Sequence, residues 1–245
     1  MDSFATVLCT SGLAAEAKIA RLAGLPVIMG AADPDRTAAM IEIAAADATC
    51  LVSFGIAGAL APRLRPGTVV VSGEVIAEQQ RWEVEPSFRA QIARFAREIG
   101  GIEGPVYGAD SIVATSYGKA RAWARTGALV VDLESAVVAR AATAVGIPFL
   151  VVRAVADPAR RNLPHAALIP LGQDGKPEIR RILASALRRP HQIGRLLVLR
   201  RETQRALAAL VGPARALGAM AAGAQAPQRV FDVAGEDVVG RPLPV

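Results

Sequence analysis

The sequence predicts an α/β fold in a single domain, and three observations carry that expectation. Apolar strand-like runs alternate with helical stretches along most of the 245 residues. Two of those strands, in residues 128–134 (ALVVDLE) and 149–157 (FLVVRAVAD), each end on a carboxylate, with one helix-like segment, 135–146, between them. The composition is 52% hydrophobic but only 4% aromatic, which suits one substantial core built from small aliphatic contacts.

Taken in order, residues 4–10 read as the first strand, and Ser11 with Gly12 opens a helix over 13–23, with Ser11 as its N-cap. Gly24 ends that helix and 26–29 form a short strand. Pro34 suits the first turn of the next helix, about 35–46. Residues 49–54 are apolar without alternation, the pattern of a strand covered on both faces. A loop rich in Gly and Pro over 55–67 leads to a long strand, 68–78, bent near Gly73, and then to an amphipathic helix over 86–100. One strand or two short ones fill 105–114, and 117–125 is helical.

The acid-bearing strands follow. In a strand–helix–strand unit two parallel strands end on the same sheet edge, where open α/β sheets bind ligands. Glu134 and Asp157 are therefore expected in one crevice, as a pair able to do acid–base chemistry. Taken singly, Glu134 reads equally as a cap for the helix that starts at Ser135, and Asp157 before Pro158 as the start of a turn. Residues 157–175 form a polar loop with three prolines, a candidate lid or pocket rim. Helices are expected over 176–187 and 192–210, and 212–245 reads as a loosely ordered tail.

Several classes are excluded. Cys9 and Cys50 lie in apolar runs, as buried reduced thiols do, and with only His165 and His191 beside them no metal site is expected. The stretch 53–59 (SFGIAGA) follows a strand and lets backbone approach a ligand. It lacks both the GxGxxG spacing of dinucleotide folds and the Lys-Ser/Thr of a P-loop, so no nucleotide cofactor is expected. No apolar run predicts a membrane span and no leader predicts export, so the expected place is the cytoplasm. The net charge of +6 is gathered in C-terminal arginines, among them Arg188, Arg195, Arg200 and Arg201, interleaved with Ile193, Leu196, Leu197 and Leu199. Such helices suit the inner face of an anionic bilayer, packing on the core, or another subunit; no nucleic-acid partner is expected.

Three segments together resemble the nucleoside phosphorylase and nucleosidase family: 53–60 (SFGIAGAL), 131–136 (VDLESA) and 152–157 (VRAVAD). The resemblance extends over about residues 4–190. Within the family the likeness is nearest to the hopanoid-associated phosphorylases, through 51–60 (LVSFGIAGAL), 64–67 (LRPG) and the Arg-rich C-terminal extension. It implies a three-layer α/β/α catalytic domain over 1–190 with a mixed, largely parallel twisted sheet, followed by a basic extension and tail over 191–245. It also implies a homo-oligomer.

The resemblance implies phosphorolysis of an adenine nucleoside, adenosylhopane, with inorganic phosphate as co-substrate and no cofactor. Asp157 is then the acid at purine N7, and Glu134 accepts the ribose hydroxyls beside Leu133, Phe54, Gly55 and Ile56. Phosphate is placed at Ser11 and Gly12, with the backbone N–H groups of Gly55 and Ile56, and Arg36 as the candidate cation. Arg160 and Arg161 are candidates to support the acid. Ile56 stands where many members carry a polar side chain, which removes one anion contact. Glu16 keeps a second mechanism open, because it aligns with the glutamate that activates water in the hydrolytic branch acting on methylthioadenosine or S-adenosylhomocysteine. Trp82 and Phe88 are read as core residues or as a pocket wall.

Overall fold

Strands and helices alternate in the order β1 (Val7–Ser11), α1 (Ala14–Leu22), β2 (Val27–Met29), α2 (Pro34–Ala44), β3 (Cys50–Ala59), β4 (Val69–Ser72), β5 (Glu74–Ile76), β6 (Arg81–Glu83), α3 (Pro86–Glu98), β7 (Ile102–Glu103), β8 (Val106–Gly108), α4 (Ser116–Thr126), β9 (Val130–Asp132), α5 (Ser135–Val145), β10 (Phe149–Asp157), α6 (Ile179–Arg188), α7 (Ile193–Ala209) and α8 (Val211–Ala222). These come from a computed structural model that describes residues 6–30, 34–169, 172 and 174–222.

The ten strands form one mixed sheet in which β3 is the trunk. β10 runs parallel along one edge of β3, from Phe149↔Leu51 to Asp157↔Gly58. The other edge is shared: β1 pairs parallel with the first half of β3, and β9 joins antiparallel at its far end through Gly58↔Val131 and Ala59↔Val130. Most other pairings are parallel, with β4 antiparallel to β10 and β6 antiparallel to β5.

Side chains alternate across the trunk, as the two-residue period of a strand requires. Cys9, Val52, Phe54, Leu150 and Val152 face one core, which α1, α3, α7 and α8 cover through Ala17, Ile92, Ala206 and Leu217. Leu8, Leu51, Phe149, Val151 and Val155 face the other, covered by α2 and α5 through Ile41, Val138 and Ala142. This is the expected three-layer α/β arrangement. Trp82 and Phe88 belong to these cores. Cys9 and Cys50 are buried free thiols, and burial pushes the Cys9 thiol up to about 12.

Four expectations change. The residues read as a loop from Gly55 continue the trunk strand as far as Ala59. The long strand expected over 68–78 is two, because the chain turns at Gly73, where a Cβ would lie 2.5 Å from Val84 and 2.7 Å from Ile92. Ser11 does not cap α1; it is buried, and its hydroxyl donates to the carbonyl of Phe54 at 3.0 Å. Part of the expected tail is α8, while the remainder, 223–245, lies outside the described residues. The helices after 190 pack on the rest of the chain, with Ala206, Leu210, Ala214 and Leu217 in the same core as Phe54 and Val152.

The docking of α8 is close enough to test. A Cβ on Gly218 would collide with the carbonyl oxygen of Ala23, a rigid backbone atom. Gly218→Ala is expected to destabilise the fold by about 1–3 kcal/mol, the range for overpacking, as read by chemical denaturation.

Candidate active site

The acids converge for a reason other than the one the sequence suggested. β9 and β10 are not a parallel pair, because β9 runs antiparallel to β3 while β10 runs parallel to it. Both reach β3 at the same residue: Gly58 is opposite Val131 on one side and Asp157 on the other. A Cβ on Gly58 would stand 3.2 Å from the Asp157 carboxylate, so glycine leaves the acid room.

A cavity of about 530 Å3 opens at this point and is lined by Glu16, Glu134, Asp157, Ile56, Leu133 and Lys119, among others. Its outer wall is apolar, with Ile112, Val113, Leu163, Leu168 and Ile169.

The floor is built around Arg153, an arginine inside an otherwise apolar strand and only 1% exposed. Its Nε donates to Asp132 at 2.6 Å, and its Nη2 to the Ser53 hydroxyl at 2.6 Å and to Glu134 at 3.4 Å. Burial works against this charge, but Asp132, Glu134 and Glu16 outweigh it and hold the pKa above its ordinary value. Its Nη1 is buried and has no hydrogen-bond partner.

Asp132 also settles how α5 begins. Its Oδ1 accepts the N–H groups of Glu134 at 3.0 Å and Ser135 at 2.8 Å, and its other oxygen accepts the Ser135 hydroxyl. The capping role considered for Glu134 is thus filled by Asp132, and the Glu134 carboxylate is left for the cavity. Gly12 makes room for it, since a Cβ there would collide with Glu134 Oε1. Burial raises the Glu134 pKa, with Arg153 opposing and Asp132 adding.

Glu16 stands in the first turn of α1 and is 2% exposed. Its Oε2 accepts the N–H of Leu13 at 2.9 Å and its Oε1 the N–H of Ile56 at 2.8 Å. Burial first, then the neighbouring Glu134, push its pKa up to about 7 against the pull of Arg153 and the two N–H groups. A Cβ on Gly55 would lie 2.5 Å from Arg153 Nη1 and 2.7 Å from the Glu16 carboxyl, so glycine at 55 leaves room for both groups.

Asp157 is paired with the ammonium of Lys119, a residue of α4 that is also buried. Burial raises the Asp157 pKa, and Lys119 opposes that rise.

The residues expected to bind ligand therefore divide. Asp157, Glu16, Glu134, Leu133 and Ile56 line the cavity. Phe54 points into the core, and Gly55 acts by leaving space. Ser11 is occupied by the Phe54 carbonyl, and the Ile56 N–H by Glu16. Arg36, half-buried in the first turn of α2, does not line the cavity. Arg161 pairs with Glu202, and its carbonyl accepts from Lys119. Sequence reasoning missed Arg153, Asp132 and Lys119. A charge inside the run LVVRAVAD was a readable sign, because a buried guanidinium demands acidic partners; nothing comparable marked Lys119.

A family model for the phosphorylase superfamily matches residues 24–188. The chain belongs to that superfamily. A comparison with curated proteins finds no match. Among solved structures, this superfamily member is similar to the S-adenosylhomocysteine nucleosidase of Streptococcus pyogenes in complex with 5-methylthiotubericidin. The two share 18% identity over 86% of this chain and 97% of that one, with a TM-score of 0.59. It is similar to the futalosine hydrolase of Helicobacter pylori at 15% identity, over 86% and 98% of the two chains, with a TM-score of 0.57. The 5′-methylthioadenosine/S-adenosylhomocysteine nucleosidase of Neisseria meningitidis is 18% identical over 86% and 99%, with a TM-score of 0.56. These likenesses show the fold, which this member of the phosphorylase superfamily shares with them.

Proposed function

We propose that this chain is an adenine nucleoside hydrolase that cleaves the C1′–N9 bond with water, releasing adenine and a free sugar. The observation that carries this reading is the setting of Glu16. It is a buried carboxyl with a pKa of about 7, beside the unpartnered Nη1 of Arg153. A group titrating there is poised to accept a proton at neutral pH. Around it, Glu16, Glu134 and Asp132 share one guanidinium. That excess of negative charge disfavours a phosphate dianion and does not oppose a neutral water. The N–H donors of Leu13 and Ile56, which suit an anion cradle, already serve Glu16. The nucleosidases and the hydrolase among the structural neighbours agree with this reading.

The chemistry follows from these groups. Water gives a proton to Glu16 as its oxygen bonds to C1′. The C1′–N9 electron pair passes to the purine, and Asp157 gives N7 a proton. Glu134 accepts the ribose hydroxyls and steadies the positive charge developing on the ring. Once adenine leaves, Glu16 gives its proton to solvent and Asp157 takes one back, so the cycle closes with no net change in protons. The apolar wall of Ile112, Val113, Leu163, Leu168 and Ile169 suits an apolar 5′ substituent, as in methylthioadenosine or adenosylhopane.

The test is to incubate the protein with adenosine, methylthioadenosine and adenosylhopane, each with and without phosphate, and to identify products by mass. Adenine and free sugar in phosphate-free buffer are expected. A sugar 1-phosphate formed only with phosphate assigns the phosphorolysis implied by the family resemblance instead, and no base release from any nucleoside overturns the reading.

The same reading includes a contact with an anionic bilayer. Residues 178–205 hold eight arginines against two glutamates, an excess equal to the +6 of the whole chain. Ile179, Leu187, Ile193 and Leu197 are exposed among them. No helix of the described residues is long and apolar enough to cross a membrane. Flotation with phosphatidylglycerol-containing vesicles is expected at low salt, and is expected to fall steeply at high salt or with Leu187→Glu. Flotation unaffected by either change, or none at all, contradicts the contact.

A further inference from the structure

Lys119 has no place in the chemistry just described, yet it is among the most buried side chains of the molecule, 1% exposed. It sits in the first turn of α4, whose N-cap Thr115 accepts the N–H of Gly118 at 3.0 Å. Its Nζ donates to Asp157 Oδ2, to the carbonyl of Pro158 at 3.1 Å and to that of Arg161 at 3.2 Å. Three acceptors around one nitrogen use all three hydrogens of an ammonium; a neutral amine has only two to give.

The same contact ties the two sides of the cavity mouth together. Asn162 accepts the N–H of Ser116 at 2.7 Å, and Leu163 donates to the carbonyl of Ala114 at 2.8 Å, so the turn after Asp157 is fastened to the start of α4. With Oδ2 engaged by Lys119, Oδ1 is the oxygen left for a ligand, and it lies 3.2 Å from where a Cβ would stand on Gly58, a residue of the cavity lining.

We propose that Lys119 is a positioning residue for the leaving-group acid: by holding Oδ2, it presents Oδ1 of Asp157 to the purine. This rests on the assignment of Asp157 as that acid. The charged groups facing Asp157 are Lys119 from α4, Arg161 from the following turn and Glu202 from α7. The last two are paired with each other, which leaves Lys119 as the cation that sets the state of the acid.

The test combines Lys119→Met, Lys119→Arg and the double variant Asp157→Asn/Lys119→Met. In Lys119→Met the burial of Asp157 loses its main opposing charge, so its carboxyl titrates higher. A 13C NMR titration of Asp157 is expected to move up by about one pH unit or more, and this readout needs no turnover. The kcat profile is expected to move its alkaline limb up by the same amount, while kcat falls about 10- to 100-fold and KM changes less than about threefold. Lys119→Arg is expected to restore most of kcat. Removing one partner of a buried pair strands the other, so Lys119→Met alone is exposed to misfolding. The double variant carries no charge at this contact and is expected to fold, with a kcat equal to that of Asp157→Asn alone. A further loss in the double variant, or in Lys119→Met an unmoved titration or a loss confined to KM, overturns the proposal. Failure of the wild-type protein to release any base instead removes the hydrolase reading and leaves the NMR result standing on its own.

Discussion

Asp157→Asn is expected to lower kcat by about 10³-fold, within the range for removal of a general acid–base group, with KM for the nucleoside changed less than about threefold. Asparagine keeps the shape and an acceptor for Lys119, so the cavity is preserved, but it has no proton to give the purine. Adenine leaves poorly as an anion, and the loss therefore falls on bond cleavage rather than on binding. A leaving group that needs no proton is the control. A nucleoside carrying p-nitrophenoxide in place of adenine is expected to lose less than about tenfold, because little is asked of the acid. Equal losses on both substrates would assign Asp157 to binding or to the fold.

Glu16→Gln is expected to cost about 10³-fold in kcat through loss of the proton acceptor, with no rescue by added phosphate. Its pH dependence gives a second reading. The base works as the carboxylate, so the acid limb of the wild-type kcat profile is expected to rise through about pH 7, where burial and Glu134 have moved the Glu16 pKa, ahead of the alkaline limb set by Asp157. Stability is expected to move in the opposite direction. A native pKa near 7 against an ordinary 4.5 means that the folded protein keeps a proton the unfolded chain has lost between those values. This group's contribution therefore declines as pH rises through that window, by up to about 3 kcal/mol. Glu16→Gln is expected to remove that slope along with the activity. Denaturation curves at pH 5 and pH 8, wild type beside variant, check the sign.

Much of this was legible in the sequence, because burial and periodicity are local. The run 149–157 reads as an apolar strand that ends on a carboxylate, and it is one; the helix over 135–146 and the opening of α2 at Pro34 fall where their caps and prolines place them. What failed depends on pairing. Nothing local distinguishes a glycine-containing strand that carries an active-site edge from a glycine loop, so 55–59 were misread. The meeting of Glu134 and Asp157 was expected for a parallel pair and occurs through opposite strands that share Gly58, a fact of register. The capping role of Ser11 failed for a similar reason: its hydroxyl has a buried carbonyl within reach that only the sheet supplies. Lys119 lies 38 residues before Asp157, in a helix that on its own reads as solvated.

The central claim is that water, activated at Glu16, is the nucleophile at a sugar carbon while Asp157 serves the base. The most direct measurement is a single turnover in 18O-labelled water with saturating phosphate present, followed by mass analysis of the sugar under conditions that limit exchange at its anomeric carbon. The account predicts free sugar carrying one 18O at C1′ and no sugar phosphate. Unlabelled sugar 1-phosphate as the product would contradict it.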